Sequence, residues 1–263
     1  MDLNLKAKSI LVTGGNRGIG LEIALAFAGE GANVVVCGRD KVALAEAETK
    51  LLAKGVKAKA IAVDLFTAEG CIAAVQATVD AFGGLDVLVN NASTAVSGNI
   101  ETLDDAGLME RLTGKTLAYM RCCRAALPHL RKSTRGRVIC IGGSAVRHAG
   151  ATALPSALGN SALTAFVKQF STTVASQGIT ANVVHPPFTK TDRFPARRAA
   201  RAKQLGVSEA EAEASFAKQF PIGRIVEPAD IAPMVLFLAS PSASAITGQS
   251  IAIDGGSTPG VYY

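Results

Sequence analysis

Tryptophan is absent from these 263 residues, tyrosine occurs three times, and aromatic residues make up only 5% of the chain. With so few rings there is no aromatic strand on which bases could stack, and no zinc-finger spacing occurs, so the net charge of +6 does not point to nucleic acid. Long apolar runs are missing as well. The longest, Ile231 to Ala239, contains Pro233 and is about half of the ~20 residues a membrane span needs. Met1 to Lys8 mixes apolar and charged residues without an apolar core, so no secretory signal is expected there. Cysteine is sparse and odd in number: Cys37, Cys71, Cys122, Cys123 and Cys140 show no C-x-x-C or metal-ligand spacing. Reduced, buried thiols in a soluble cytoplasmic protein without a metal site are therefore expected.

What is present is enough apolar residue, 49%, to fill one large core. Short β-rich runs recur at Ile10–Val12, Val34–Val36, Ala60–Val63, Val87–Val89, Val138–Ile141, Ala181–Val184 and Ile251–Ile253, with amphipathic helical stretches between them. That alternation predicts a single α/β domain over residues 1–263. Its architecture is a Rossmann-type, doubly wound, mostly or wholly parallel seven-stranded sheet with helices on both faces. Phe188 to Pro221 departs from the alternation. It is polar and helix-prone, carries six basic residues between Lys190 and Lys203, and follows the sixth strand. Ligands of open α/β sheets bind beyond the carboxyl ends of the strands, so 188–221 is expected to be a substrate lid.

The run Thr13-Gly14-Gly15-Asn16-Arg17-Gly18-Ile19-Gly20 joins a strand to a helix start. Gly14 permits the tight turn, Gly18 lets backbone approach a pyrophosphate, Gly20 allows close helix packing, and the helix N-terminus offers free N–H groups. A dinucleotide site formed by Gly14, Asn16, Arg17, Gly18, Ile19 and Gly20 is the expectation. The second strand ends at Arg39, where an acidic residue would accept from the ribose of NAD and a guanidinium pairs with the 2′-phosphate of NADP. Arg17 and Arg39 together favour NADP(H). A solvent-exposed Arg39 is the alternative, and Asp40 beside it argues the other way.

With Thr13-Gly-x-x-x-Gly-x-Gly20, Asp64, Asn90-Asn91-Ala92-Ser93 and Asp254-Gly255-Gly256 in this order, the chain resembles the short-chain dehydrogenase/reductase family from about Lys6 to Gly256, including its 3-oxoacyl carrier-protein reductase-like members. The resemblance implies that Asp64, with Leu65 beside it, contacts adenine, that Asn91 and Ala92 border the cofactor, and that Pro186 and Thr191 lie at the nicotinamide. It also implies a homo-oligomer, dimer or tetramer, built through helices spanning Lys115–Arg131 and Ser156–Ser176, and a small-molecule substrate.

That family transfers hydride with an asparagine, serine, tyrosine and lysine acting together. Here the corresponding positions hold Lys115, Gly143, Ser156 and Asn160, and no register shift restores the set, because the tyrosines are Tyr119, Tyr262 and Tyr263 and no lysine lies between Lys132 and Lys168. A replacement proton donor is therefore expected. Lys115 either is buried with its pKa lowered toward neutrality or snorkels to the surface. Tyr119 shares its helix and reads as core. Ser144 either reaches the serine position through a bulge or caps a loop. His148 lies in the loop after the fifth strand and His185 precedes Pro186; each is a proton-transfer candidate whose plainer reading is structural. Arg193, Arg197, Arg198 and Arg201 either hold an anionic substrate or form a solvated face. An NADP(H)-dependent oxidoreductase for carbonyls and alcohols leads. A non-redox isomerase, lyase or dehydratase and a non-catalytic NADP-binding subunit stand beside it.

Overall fold

The structure, a computed structural model, describes residues 2–148 and 150–260. Seven strands occur, β1 (Ser9–Thr13), β2 (Asn33–Gly38), β3 (Ala58–Ala62), β4 (Val87–Asn90), β5 (Arg137–Ile141), β6 (Thr180–His185) and β7 (Ser250–Ala252). They form one sheet in the order β3-β2-β1-β4-β5-β6-β7. Every pairing is parallel, so the sheet is wholly parallel.

Parallel strands need crossovers, and helices α1 (Gly18–Gly29), α2 (Lys41–Leu52), α3 (Ala68–Phe82), α5 (Ala118–Leu130), α6 (Leu154–Val174) and α9 (Pro228–Ala239) cover the two faces. Successive strand residues point to opposite faces, and the core divides accordingly. Ile10, Val12, Val34, Val36, Ile139 and Ile141 pack with residues of α1, α2 and α9. Leu11, Val35, Leu88, Val138 and Cys140 pack with residues of α3, α5 and α6. All five cysteines are free and buried, and all belong to this second layer.

The helix expected to run unbroken to Arg131 is interrupted. α4 (Asp105–Leu112) passes into a π-helical segment, Thr113–Leu117, before α5 begins. The wider turn sits where the backbone is squeezed: a Cβ on Gly114 would lie 2.6 Å from Thr94 Cγ2 and 2.7 Å from the Phe66 ring. Such π-bulges gather at functional sites.

The insertion after β6 folds into α7 (Phe194–Leu205) and α8 (Glu209–Ala217). Phe188, Phe194 and Phe216 pack with centroids 5.0 to 5.9 Å apart. Its basic residues are partly neutralised within it: Arg198 pairs with Glu209 and Glu213, and Lys190 with Glu213 at 2.7 Å. Among the described residues no helix is long and apolar enough to cross a membrane.

Candidate active site

The carboxyl ends of β1 to β4 open onto a cavity of about 520 Å³. Its lining includes Gly14, Asn16, Arg17, Gly18, Ile19 and Gly20, together with Arg39, Asp64, Leu65, Asn91, Ala92 and Thr191. The turn is locked from below, because Asn91 Nδ2 donates to Thr13 O and Gly14 O, both at 3.0 Å. Gly14 has φ +63°, and a Cβ on Gly20 would lie 2.3 Å from Gly14 O. No side chain caps the start of α1, so its first N–H groups face the cavity unclaimed. This glycine cradle, with bare amides and arginines around it, fits a dinucleotide. Arg39 stands 5.8 Å over the Phe66 ring, while Asp40 Oδ1 accepts from Val42 N and Ala43 N as the N-cap of α2.

Ile19, Asn91 and Ser93 also line a second cavity of about 310 Å³, bounded by β5, the π segment and α6. Lys115 is 2% exposed on its wall. Its Nζ donates to Ile141 O at 2.8 Å and Gly142 O at 3.2 Å. Burial first, and then the charge of Arg111, bring its pKa from 10.5 down to about 7. Tyr119 is core, as expected, with its hydroxyl donating to Ile141 O, and burial pushes its pKa well up. One turn before Lys115, Arg111 is 6% exposed; Nη1 donates to Ser93 Oγ and Thr94 O, and Nε is buried without a partner. Burial lowers its pKa too.

Residues 14–258 match the family described as enoyl-(acyl carrier protein) reductase, one of the short-chain dehydrogenase group. A 3-oxoacyl-(acyl-carrier-protein) reductase from Vibrio cholerae serotype O1 is 32% identical over 254 residues, spanning 97% of this chain and 98% of the relative. Galactitol 2-dehydrogenase from Agrobacterium fabrum is 31% identical over 256 residues, spanning 97% and 98%. The chain belongs to the short-chain dehydrogenase/reductase family. Among solved structures, L-sorbose reductase from Gluconobacter frateurii, complexed with NADPH and L-sorbose, matches with a TM-score of 0.94 at 31% identity, covering 99% of this chain and 100% of that one. A variant of the actinorhodin polyketide ketoreductase with NADPH matches at 0.90 and 31%, covering 97% and 98%.

The second cavity gathers four of the five catalytic candidates chosen from the sequence, together with Pro186. Lys115, Ser144, Ser156, Asn160 and Pro186 all line it. Asn160 is 1% exposed, with Oδ1 buried and unpartnered. A Cβ on Gly143 would lie 2.9 Å from Asn160 Nδ2, so a serine at 143 would strike the amide that stands there. Ser144 opens a 3₁₀ turn, its N–H donating to Pro186 O at 2.9 Å.

His148 is not brought to them; it is exposed and lines neither cavity. His185 is fully buried: Nδ1 accepts from Gly143 N at 3.1 Å and Nε2 lies 3.3 Å from Thr164 Oγ1, which donates to Asn160 O. Burial lowers its pKa from 6.5 to about 4, so the ring is neutral and holds the cavity wall together. Among the lining residues that the sequence does not single out are Phe66, Asp192 and Arg111. A polar residue four positions before Lys115 is the available signal for Arg111.

Proposed function

We propose that the chain is an NADP(H)-dependent reductase of small carbonyl compounds in which Lys115 supplies the proton. The observation that carries this reading is the buried Lys115 Nζ at the second cavity, with a pKa of about 7. Two of its hydrogens go to Ile141 O and Gly142 O, which fixes the ammonium and leaves the third for a substrate oxygen. An acid with a pKa near the working pH is both charged when needed and willing to give up its proton.

When bound, the cofactor supplies the hydride that reaches the carbonyl carbon. Gly14, Gly18 and Gly20 would hold its pyrophosphate, and Arg17 and Arg39 favour the 2′-phosphorylated form, since Asp40 is engaged in capping α2. Lys115 gives its proton to the carbonyl oxygen and recharges from solvent. Asn160, Ser156 and Ser144 offer polar contacts around the same space, and residues 188–221 act as the lid, with Thr191, Asp192 and Arg193 at its root beside the cofactor cavity. The relatives with printed reductase activities and the NADPH-bound neighbours support this reading. A homo-oligomer of two or four chains is proposed with it.

The test uses NADPH deuterated at C4 and a panel of small ketones and aldehydes. Deuterium is expected in the product alcohol, and binding of NADPH without any deuterium transfer across the panel would overturn the proposal.

A further inference from the structure

The cavity beside Lys115 contains two cations and no carboxylate. Neither Arg111 nor Lys115 forms an ion pair among the described residues, and no aspartate or glutamate lines the cavity. Burying a charge without a counter-charge is costly, and here it is done twice within one helical turn. Arg111 is also built in. Its Nη1 is tied to Ser93 Oγ and Thr94 O, at the loop that borders both cavities. α6 packs against it at Gly159, where a Cβ would lie at an ordinary contact distance of 3.4 Å from Arg111 Nε. The Nε itself has no partner, although a guanidinium presents its donors as a fork suited to a planar anion.

We infer that the substrate is a small oxo acid whose carboxylate is held by Arg111 while its reacting carbonyl lies at Lys115. This rests on the reductase reading above and adds the substrate class. A cavity of about 310 Å³ is at the small end for ligand sites, which suits a compact acid rather than a long chain. The carboxylate supplies the missing counter-charge for both cations. The groups that face Lys115 from its surroundings are Arg111 on α4, Tyr119 on α5, Cys140 on β5 and His185 on β6, and no carboxylate is among them. The bound acid therefore favours the charged form of its own proton donor. The lid arginines do not supply this grip, since Arg198 is paired with Glu209 and Glu213 and Arg197 lies over the Phe188 ring at 5.2 Å.

The decisive comparison pairs each acid with its neutral ester: 3-oxobutanoate against its ethyl ester, and pyruvate against its methyl ester, each with NADPH. A charge-assisted contact predicts that at least one acid exceeds its ester by about 100-fold in kcat/KM. Arg111→Gln should bring that ratio to within about tenfold, chiefly through KM. Esters reduced as well as or better than their acids overturn the inference while leaving the reductase reading in place. Butanoate, which cannot be reduced, gives a readout independent of turnover. Measured by calorimetry with NADPH present, it should bind the unaltered protein at least about tenfold tighter than Arg111→Gln, and equal or undetectable binding counts against the carboxylate site. If nothing in the panel is reduced, the reductase reading fails and butanoate still decides this one. If Arg111→Gln does not fold, the acid-to-ester ratio and butanoate titration of the unaltered protein decide alone.

Discussion

The two cavities share Ile19, Asn91 and Ser93 and are made in opposite ways. The cofactor side is shaped by backbone: Gly14 and Gly20 where a Cβ would collide, bare amides at the head of α1, and arginines at the rim. The substrate side is shaped by side chains sunk into the core, Lys115, Arg111, Asn160 and His185, whose properties come from burial and from one another. A backbone cradle suits a ligand shared by many enzymes. Buried side chains define a private chemistry.

The sharpest way to break that contrast is at Lys115. Lys115→Met should lower NADPH-dependent reduction by about 10²- to 10⁴-fold, the usual worth of a general acid, with NADPH affinity changed less than about twofold. Undiminished turnover would remove Lys115 from the mechanism. In the unaltered protein, reduction should fall as pH rises through about 7, because the ammonium then loses its proton.

Next in size is His185. Its folded-state pKa of about 4 lies below the ordinary 6.5, so the unfolded chain takes up the proton first. The stability contributed by the neutral ring is complete above pH 6.5 and is lost as pH falls from there toward 4, by about 3 kcal/mol. Urea denaturation at half-unit pH steps should show this slope, and His185→Gln should flatten it; an unchanged slope would mean that the ring is not the group responsible.

A smaller effect belongs to the cofactor side. Arg39→Asp should weaken NADPH by about 10- to 100-fold and narrow or reverse the preference over NADH, as read by nicotinamide fluorescence. Equal losses for both nucleotides would place Arg39 outside the 2′-phosphate contact. The smallest is expected far from either ligand, where Arg198→Ala removes an exposed pair with Glu209 and Glu213. A slight fall in Tm that vanishes in high salt is the expected result, and a large loss would show that the lid depends on it.

The same contrast explains what can be seen in the sequence. The seven strands stand within two residues of their expected places because strands of a parallel sheet covered on both faces read as short continuous apolar runs. The glycine turn is legible because only glycine fits there. Lys115 is found by its position along a familiar pattern, and its lowered pKa follows from burial alone. Arg111 is not found, since its four-residue spacing from Lys115 places it on the same face without separating a buried arginine from a solvated one; what packs against it is α6 at Gly159, far along the chain. The π segment is also invisible, because it arises where Gly114 meets Thr94 and Phe66 rather than from any propensity of its own residues. Likewise the fit between Gly143 and Asn160 joins a strand end to a helix, and only the folded chain brings them together.

The π segment makes the substrate wall sensitive to length. An α-helix turns about 100° per residue, so the surplus residue of the π segment acts as a phase shift between α4, which carries Arg111, and α5, which carries Tyr119. Deleting Thr113 or Gly114 would let an ordinary helix re-form and turn α4 by about that angle relative to α5, carrying the guanidinium away while Tyr119 and the rest of α5 stay in place. Point substitution can blunt this pair of cations. Only a change of one codon in length can re-aim it.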